Sequence, residues 1–148
     1  MRLNKPNDMN PKRILFVEGD ERFLKALART FVAEGYEVLL AEDGAGAVST
    51  ARQEQPDLIL LSIYFPPDVA HGGGVSWDGF LILSWIRKME ELKATRVVIV
   101  GDEDSAELRE QARSAGASGY FPKTCGPDQL LSMVRQLLPQ AVANQAAA

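Results

Sequence analysis

The sequence predicts an α/β protein, a (βα)5 doubly wound parallel sheet with helices on both faces. Short apolar runs of strand length alternate with segments whose apolar residues recur at helical spacing. The central run, residues 58–61, is apolar without interruption, as expected of a strand that is covered on both faces. The alternation implies right-handed crossovers between parallel strands. We expect the strand order 2-1-3-4-5, which is common in doubly wound sheets, with this run in the middle strand.

The first half of the chain predicts three strands and two helices. The strands lie at residues 14–17, 36–41 and 58–61. The first helix ends at Gly35, which suits the left-handed position after a helix, and its apolar face holds Phe23, Leu24, Leu27, Phe31 and Val32. Asp43 can cap a shorter second helix, which Pro56 ends.

The second half of the chain predicts two more strands, at residues 97–100 and 118–121, and three helices. Asp78 and Gly79 open the third helix, whose apolar residues exceed what one buried stripe can hold: Phe80, Leu81, Ile82, Leu83, Trp85, Ile86 and Met89. Ser105 can cap the fourth helix. Pro127 begins the last helix, where its missing N–H group would have had no partner.

The chain of 148 residues has the length of one domain. Residues 1–12 contain two prolines and no apolar run, which indicates a flexible N-terminal arm. Residues 13–138 are predicted to form the domain, with an inserted loop rich in Gly and Pro at about residues 67–77. The Ala-rich residues 139–148 predict a flexible or helical C-terminal tail.

The composition favours protein partners. The net charge of -4, from 16 basic and 20 acidic residues, argues against direct nucleic-acid binding, because no basic stripe accompanies it. No apolar run approaches the roughly 18 residues of a membrane span, so we expect a cytoplasmic protein without membrane contact. The single cysteine, Cys125, excludes an internal disulfide and a cysteine metal cluster.

Four segments, in this order along the chain, resemble the receiver domain of response regulators, the phospho-accepting module of two-component signalling. They are ILFVEGDE at residues 14–21, PDLILLSIYFP at residues 56–66, the Asp-Gly pair before the third helix, and AGASGYFPK at residues 115–123. The resemblance covers roughly residues 13–138. It implies the flavodoxin-like fold and a role in bacterial signal transduction.

The resemblance also implies a site made of an acidic pair, a phospho-accepting Asp, a hydroxyl residue and a Lys, with an aromatic switch residue three positions before the Lys. The matching positions here are Glu18 and Gly19, then Ser62, Gly101, Lys123 and the aromatic Tyr120. The second acid, the acceptor Asp and the hydroxyl residue are therefore missing. The sequence predicts a degenerate pseudo-receiver that lacks the phospho-accepting Asp.

Ser62 is a poor replacement for an acceptor Asp. A serine hydroxyl carries no charge at neutral pH, and its phosphate is a stable ester, whereas an acyl phosphate is labile. Magnesium prefers carboxylate ligands, and only Glu18 of the acidic pair remains. We expect no catalytic residue, no cofactor and no resident metal, with a weak divalent-ion site on Glu18 and Asp20 as the alternative.

The missing groups lead to three structural expectations. Lys123 should pair with Glu18 or Asp20, because its usual Asp partner is absent. Tyr120 should turn into the room that Gly101 leaves. The peptide bond after Lys123 should be trans, since a cis bond without proline costs about 3–4 kcal/mol.

We therefore predict a non-enzymatic, phosphorylation-independent protein–protein interaction module. Trp77, Trp85 and Ile82 form a candidate interaction surface for another signalling protein or for a second copy of the chain, unless Trp85 belongs to the core. Two other functions stay open: a phosphorylatable regulator with another acceptor such as Glu18, and a flavodoxin-like domain that binds a nucleotide or flavin. The sequence does not favour a hydrolase, because the HGGG run at residues 71–74 has no accompanying G-x-S-x-G turn.

Overall fold

The computed structural model describes residues 2–3, 11–63 and 78–138. Its strands are β1 (Arg2–Leu3), β2 (Arg13–Val17), β3 (Glu37–Ala41), β4 (Leu58–Ser62), β5 (Arg96–Gly101) and β6 (Gly119–Pro122). Its helices are α1 (Glu21–Ala33), α2 (Gly44–Glu54), α3 (Gly79–Lys88), α4 (Ala106–Ser114) and α5 (Pro127–Leu137). The strands form one sheet in the order β1-β3-β2-β4-β5-β6.

The strands β2 to β6 are parallel to one another. Taken without β1, they have the order 2-1-3-4-5, so the predicted fold is confirmed. β4 lies in the middle, between β2 and β5. The carboxyl ends of the parallel strands therefore meet at one edge of the sheet.

The middle strand β4 is buried over its whole length. Its side chains alternate between two cores: Leu58 and Leu60 pack in the core under α1 and α5, whereas Ile59 and Leu61 pack in the core under α2, α3 and α4. Burial on both faces explains why this run is apolar without alternation. Each of these side chains contributes roughly 1.5–3 kcal/mol of hydrophobic stabilisation.

β1 is an antiparallel strand at the edge of the sheet, with Arg2 opposite Leu39 and Leu3 opposite Val38. It falls within residues 1–12, for which the sequence predicts a flexible arm. A strand of two residues carries no periodic signal, so its pairing with β3 could not be predicted. Residues 1, 4–10, 64–77 and 139–148 lie outside the described residues, and with them the predicted inserted loop and C-terminal tail.

The helix ends follow the predicted signals. Side chains accept hydrogen bonds from first-turn N–H groups at the start of α1 to α4, and these caps are Asp20, Asp43, Asp78 and Ser105. Gly35 has a φ of 96° after α1, and Pro127 lies in the first turn of α5. Among the residues described, no helix combines the length and apolar character that a bilayer crossing requires.

Candidate functional site

The candidate site lies at the carboxyl edge of the sheet. Glu18 follows β2, Ser62 ends β4 and Gly101 ends β5, and the strand register brings these ends level. Lys123 follows β6, and its N–H group donates to the carbonyl oxygen of Gly101 at 2.8 Å. The fold therefore brings the predicted site positions to one edge, although they are distant along the chain.

Glu18 is the buried carboxylate of the site. Its Oε2 accepts hydrogen bonds from Lys123 Nζ at 3.0 Å and from the N–H of Asp20 at 2.8 Å. Asp102 Oδ1 is a more distant neighbour of the ammonium group, at 3.8 Å. The predicted ion pair of Lys123 is thus confirmed, with Glu18 as the partner.

Asp20 has a different role from Glu18. Its Oδ1 accepts from the N–H groups of Arg22 and Phe23, at 3.1 and 3.3 Å, and so caps α1. Gly19, between the two acids, supplies no carboxylate. Among the described residues no three His, Cys, Asp or Glu side chains form a set that could hold a metal ion.

The ammonium group of Lys123 also lies over the ring of Phe23, 4.7 Å from its centroid. A cation over an aromatic face is attracted by the ring quadrupole, which adds to the attraction of Glu18. Phe23 is in the first turn of α1, three residues after the cap Asp20. The end of β6 is thus held to the start of α1 by one side chain.

Tyr120 fills the space beside Gly101. A Cβ atom added at Gly101 would lie 2.0 Å from the Tyr120 hydroxyl oxygen. The hydroxyl group donates to the carbonyl oxygen of Glu103 at 2.6 Å, and the guanidinium of Arg109 lies 5.3 Å from the ring centroid. The prediction that Tyr120 turns into the room left by Gly101 is confirmed.

Ser62 is buried at the end of β4, where α3 begins against it. A Cβ atom added at Gly79 would lie 2.4 Å from the carbonyl oxygen of Ser62, and the N–H of Gly79 donates to the carbonyl oxygen of Ile63 at 2.8 Å. This close approach requires glycine at the start of α3. The backbone that carries Ser62 is therefore held on both sides, by the sheet and by the helix.

The peptide bond between Lys123 and Thr124 is trans, as predicted, since no cis bond occurs among the described residues. The N–H of Cys125 then donates to the carbonyl oxygen of Pro122 at 3.0 Å, which closes a turn before α5.

The candidate interaction surface on α3 needs one correction. Ile82 is fully buried in the core under α2, α3 and α4, so it cannot contribute to a surface. Trp85 is 48% exposed and Leu81 is 37% exposed, so these two are the large apolar side chains on the exposed face of α3, beside the exposed Ser84 and Lys88. Trp85 also lines a groove of about 520 Å³ against α2, whereas Trp77 lies outside the described residues.

Three partners in the site were not predicted from the sequence. Phe23 is one of the apolar residues at helical spacing in α1. The sequence therefore gives no separate indication that it contacts Lys123. Arg109 lies on α4, whose charged residues are those expected of a solvent-exposed helix face. The sequence therefore does not indicate a contact with Tyr120. The carbonyl group of Glu103 belongs to the backbone, which carries no sequence signal at all.

The fold and the site define a receiver-type α/β domain, and the comparison with known families agrees. The chain matches the model of the response regulator receiver domain over residues 14–135. It belongs to this family, whose members act as signalling modules in two-component systems.

Two relatives are matched over nearly their whole length. The polar-differentiation response regulator DivK of Brucella anthropi is 27% identical over 131 residues, which are 88% of this chain and 99% of DivK. Protein PilH of Pseudomonas aeruginosa is 29% identical over 126 residues, 85% of this chain and 97% of PilH. Other relatives are longer: response regulator MprA of Mycolicibacterium vanbaalenii is 28% identical over 137 residues, and the chain spans 54% of its length.

Solved receiver structures have the same fold. The chemotaxis protein CheY4 of Vibrio cholerae has a TM-score of 0.76 and 24% identity, covering 86% of this chain and 99% of its own. The BeF3-activated receiver domain of RstA from Klebsiella pneumoniae has a TM-score of 0.72 and 27% identity, covering 87% and 100%.

Proposed function

We propose that this chain is a degenerate receiver that acts as a phosphorylation-independent protein–protein interaction module in bacterial signal transduction. The observation that carries the proposal is Ser62 at the end of β4, where the receiver resemblance implies a phospho-accepting Asp. A hydroxyl group there has no negative charge with which to attack a phosphoryl group, and it would form an ester that does not clear by itself.

The neighbouring groups support the proposal. The resemblance implies that the site lysine and a hydroxyl side chain hold the phosphoryl oxygens. Here Lys123 is paired with Glu18, and the place of the hydroxyl side chain at Gly101 is taken by the hydroxyl end of Tyr120, which already donates to the carbonyl oxygen of Glu103. A phosphoryl group at Ser62 would therefore find neither of its expected stabilising groups available.

The donor set also does not fit the magnesium ion that the resemblance implies. Magnesium binds one or two carboxylates together with water and phosphate oxygens. Glu18 is engaged by Lys123 and by the N–H of Asp20, while Asp20 caps α1. Gly19 and Ser62 have no carboxylate to replace them. Phosphoryl transfer through a metal ion at this edge has no support in these residues.

Acetyl phosphate with magnesium, followed by intact mass measurement, tests the proposal. We expect no added phosphoryl group on the wild-type chain. The matched control is the double variant Gly19→Asp, Ser62→Asp, which restores the acidic pair and the acceptor together. An added group on the wild type would refute the proposal and favour an atypical acceptor such as Glu18; a visible absorbance that copurifies would favour flavin binding instead.

The expected partners are other signalling proteins or a second copy of the chain, in the cytoplasm. The proposed contact surface includes Trp85, because a half-exposed tryptophan next to a groove is typical of interface anchors, and Trp77, which the sequence alone suggests. Substitution of either tryptophan by alanine should lower the mass of an assembly in light scattering. Gln111→Ala, on the exposed face of α4, is the control. Unchanged mass and unchanged partner binding in the tryptophan variants would refute the proposed contact surface.

A further inference from the structure

Gly101 and Tyr120 fit together so closely that each restricts the other. A Cβ atom at Gly101 would lie 2.0 Å from the hydroxyl oxygen of Tyr120, 2.7 Å from Cζ and 3.0 Å from Cε2. These are atoms of a rigid ring and its hydroxyl group, so the clash can be relieved only if the whole ring moves. Gly101 is not among the glycines with positive φ, so its backbone would accept alanine, and the three atoms nearest to the added Cβ all belong to Tyr120.

The ring of Tyr120 is tied to the segment that follows β5. Its hydroxyl group donates to the carbonyl oxygen of Glu103 at 2.6 Å, and Arg109 of α4 lies over the ring. Arg109 also pairs with Asp104, with 2.8 Å between Nε and Oδ1. Tyr120 itself is buried. One side chain of β6 thus contacts the residues between β5 and α4, and the helix as well.

We propose that Tyr120 is a permanent pin that holds residues 102–105 and α4 in one arrangement, and that Gly101 is the residue that permits it. Withdrawal of the ring would break the bond to Glu103, remove the support of Arg109 and leave an empty space beside Gly101. Neither the hydrogen bond to Glu103 nor the contact with Arg109 involves the side chain of Ser62. The surface of α4 therefore keeps one shape whatever happens at the end of β4.

Amide hydrogen exchange of the full chain tests the pin. Gly101→Ala should raise the amide exchange rates of residues 102–109 by about tenfold or more. The added methyl group overpacks the site, which expels the Tyr120 ring and releases residues 102–105. Gly126→Ala is the matched control, since a Cβ atom at Gly126 meets nothing within 4 Å. Tyr120→Phe, which removes only the hydroxyl donor, should raise exchange in residues 102–105 alone.

The decisive comparison places Gly101→Ala in a Tyr120→Leu background. Leucine lacks the three clashing atoms, so the alanine should then add less than about a twofold change. An equal effect in both backgrounds, or no effect in either, would overturn the proposal. If Gly101→Ala alone does not fold, rescue by Tyr120→Leu supports the pin and failure of rescue refutes it. Phosphorylation of the wild type would contradict the proposed function and leave this result untouched.

Discussion

The ammonium group of Lys123 lies 3.0 Å from Oε2 of Glu18, and this pair joins residues 105 positions apart in the chain. It connects the end of β6 to the end of β2, across the ends of β4 and β5. The two side chains are 19% and 6% exposed, so water screens their attraction far less than at the surface. The pair holds the carboxyl edge of the sheet together at the place where a receiver would otherwise bind a phosphoryl group.

Glu18→Gln should lower the free energy of unfolding by about 1–3 kcal/mol, measured by urea denaturation at neutral pH. The glutamine oxygen can still accept from the N–H of Asp20, so the substitution mainly removes the charge opposite Lys123. The loss stays below that of a fully buried pair, because Asp102 lies 3.8 Å from the ammonium group and can replace part of the attraction.

The control for this variant is Glu21→Gln. Glu21 and Lys25 form an ion pair of 3.2 Å on α1, and both side chains are 68% exposed. Its removal should cost less than about 0.5 kcal/mol. Equal losses of unfolding free energy in the two variants would show that the ion pair of Lys123 and Glu18 stabilises the fold no more than a surface ion pair does.

The fold could be predicted from the sequence because apolar runs of strand length alternate with segments of helical apolar spacing along the chain. The uninterrupted run in β4 fits only a strand or helix covered on all sides, and its length and flanking Pro56 favour the strand. The site positions followed from the order of four segments. Their contacts did not, because Phe23 and Arg109 reach the site only through the packing of α1 and α4 against the sheet.

The third helix shows where the pattern loses its information. When nearly every position of a helix is apolar, the period of 3.6 residues no longer marks one face. The sequence therefore places Ile82 on the surface of α3, whereas in the structure Ile82 is buried and its neighbour Leu81 is exposed. Only the packing of α3 against the sheet decides which side chains become buried.

Arg87 at the end of α3 should be hard to replace. Its guanidinium group donates to four backbone carbonyl oxygens, those of Leu92, Lys93, Thr95 and Gly116. The two bonds of 2.8 Å, to Thr95 and Gly116, use different nitrogen atoms, which the single ammonium group of lysine cannot reproduce. Arg87→Lys should therefore cost about 1–2 kcal/mol of unfolding free energy.

Arg113→Lys is the comparison for Arg87. Arg113 pairs with Glu110 on the exposed face of α4, at 3.0 Å between Nε and Oε2. We expect the Arg113→Lys variant to have the same midpoint temperature of thermal unfolding as the wild type. If Arg87→Lys melts at the same temperature as this control, the carbonyl contacts of Arg87 do not hold the end of α3.

Because its phenol is buried, we expect Tyr36 to contribute less to the free energy of unfolding in alkaline solution than at neutral pH. Burial raises the pKa of Tyr36 above its ordinary value of 10.0, and its hydroxyl group donates to the carbonyl oxygen of Leu138 at 3.3 Å. A phenol whose pKa is higher in the folded state keeps its full contribution below pH 10.0, and that contribution declines as the pH rises toward the folded-state pKa. The stability difference between the wild type and Tyr36→Phe should therefore shrink above pH 10.0.

Urea denaturation of both proteins between neutral pH and the alkaline range measures this difference. The two proteins differ only in this hydroxyl group, so the contributions of all other residues cancel in the subtraction. A difference that stays constant with pH would mean that the hydroxyl group of Tyr36 reaches water in the folded state.

Leu81 and Ile82 are neighbours in α3 with opposite surroundings, and they test how the helix sits on the sheet. Ile82 is fully buried, so Ile82→Ala should leave a cavity and cost about 2–5 kcal/mol of unfolding free energy. Leu81 is 37% exposed, so Leu81→Ala should cost less than about 1 kcal/mol. Both variants remove apolar atoms from adjacent positions of one helix, so any loss of helix propensity is similar. A larger cost for Leu81→Ala than for Ile82→Ala would mean that α3 packs with its other face toward the sheet, and Trp85, four residues after Leu81, would then belong to the core.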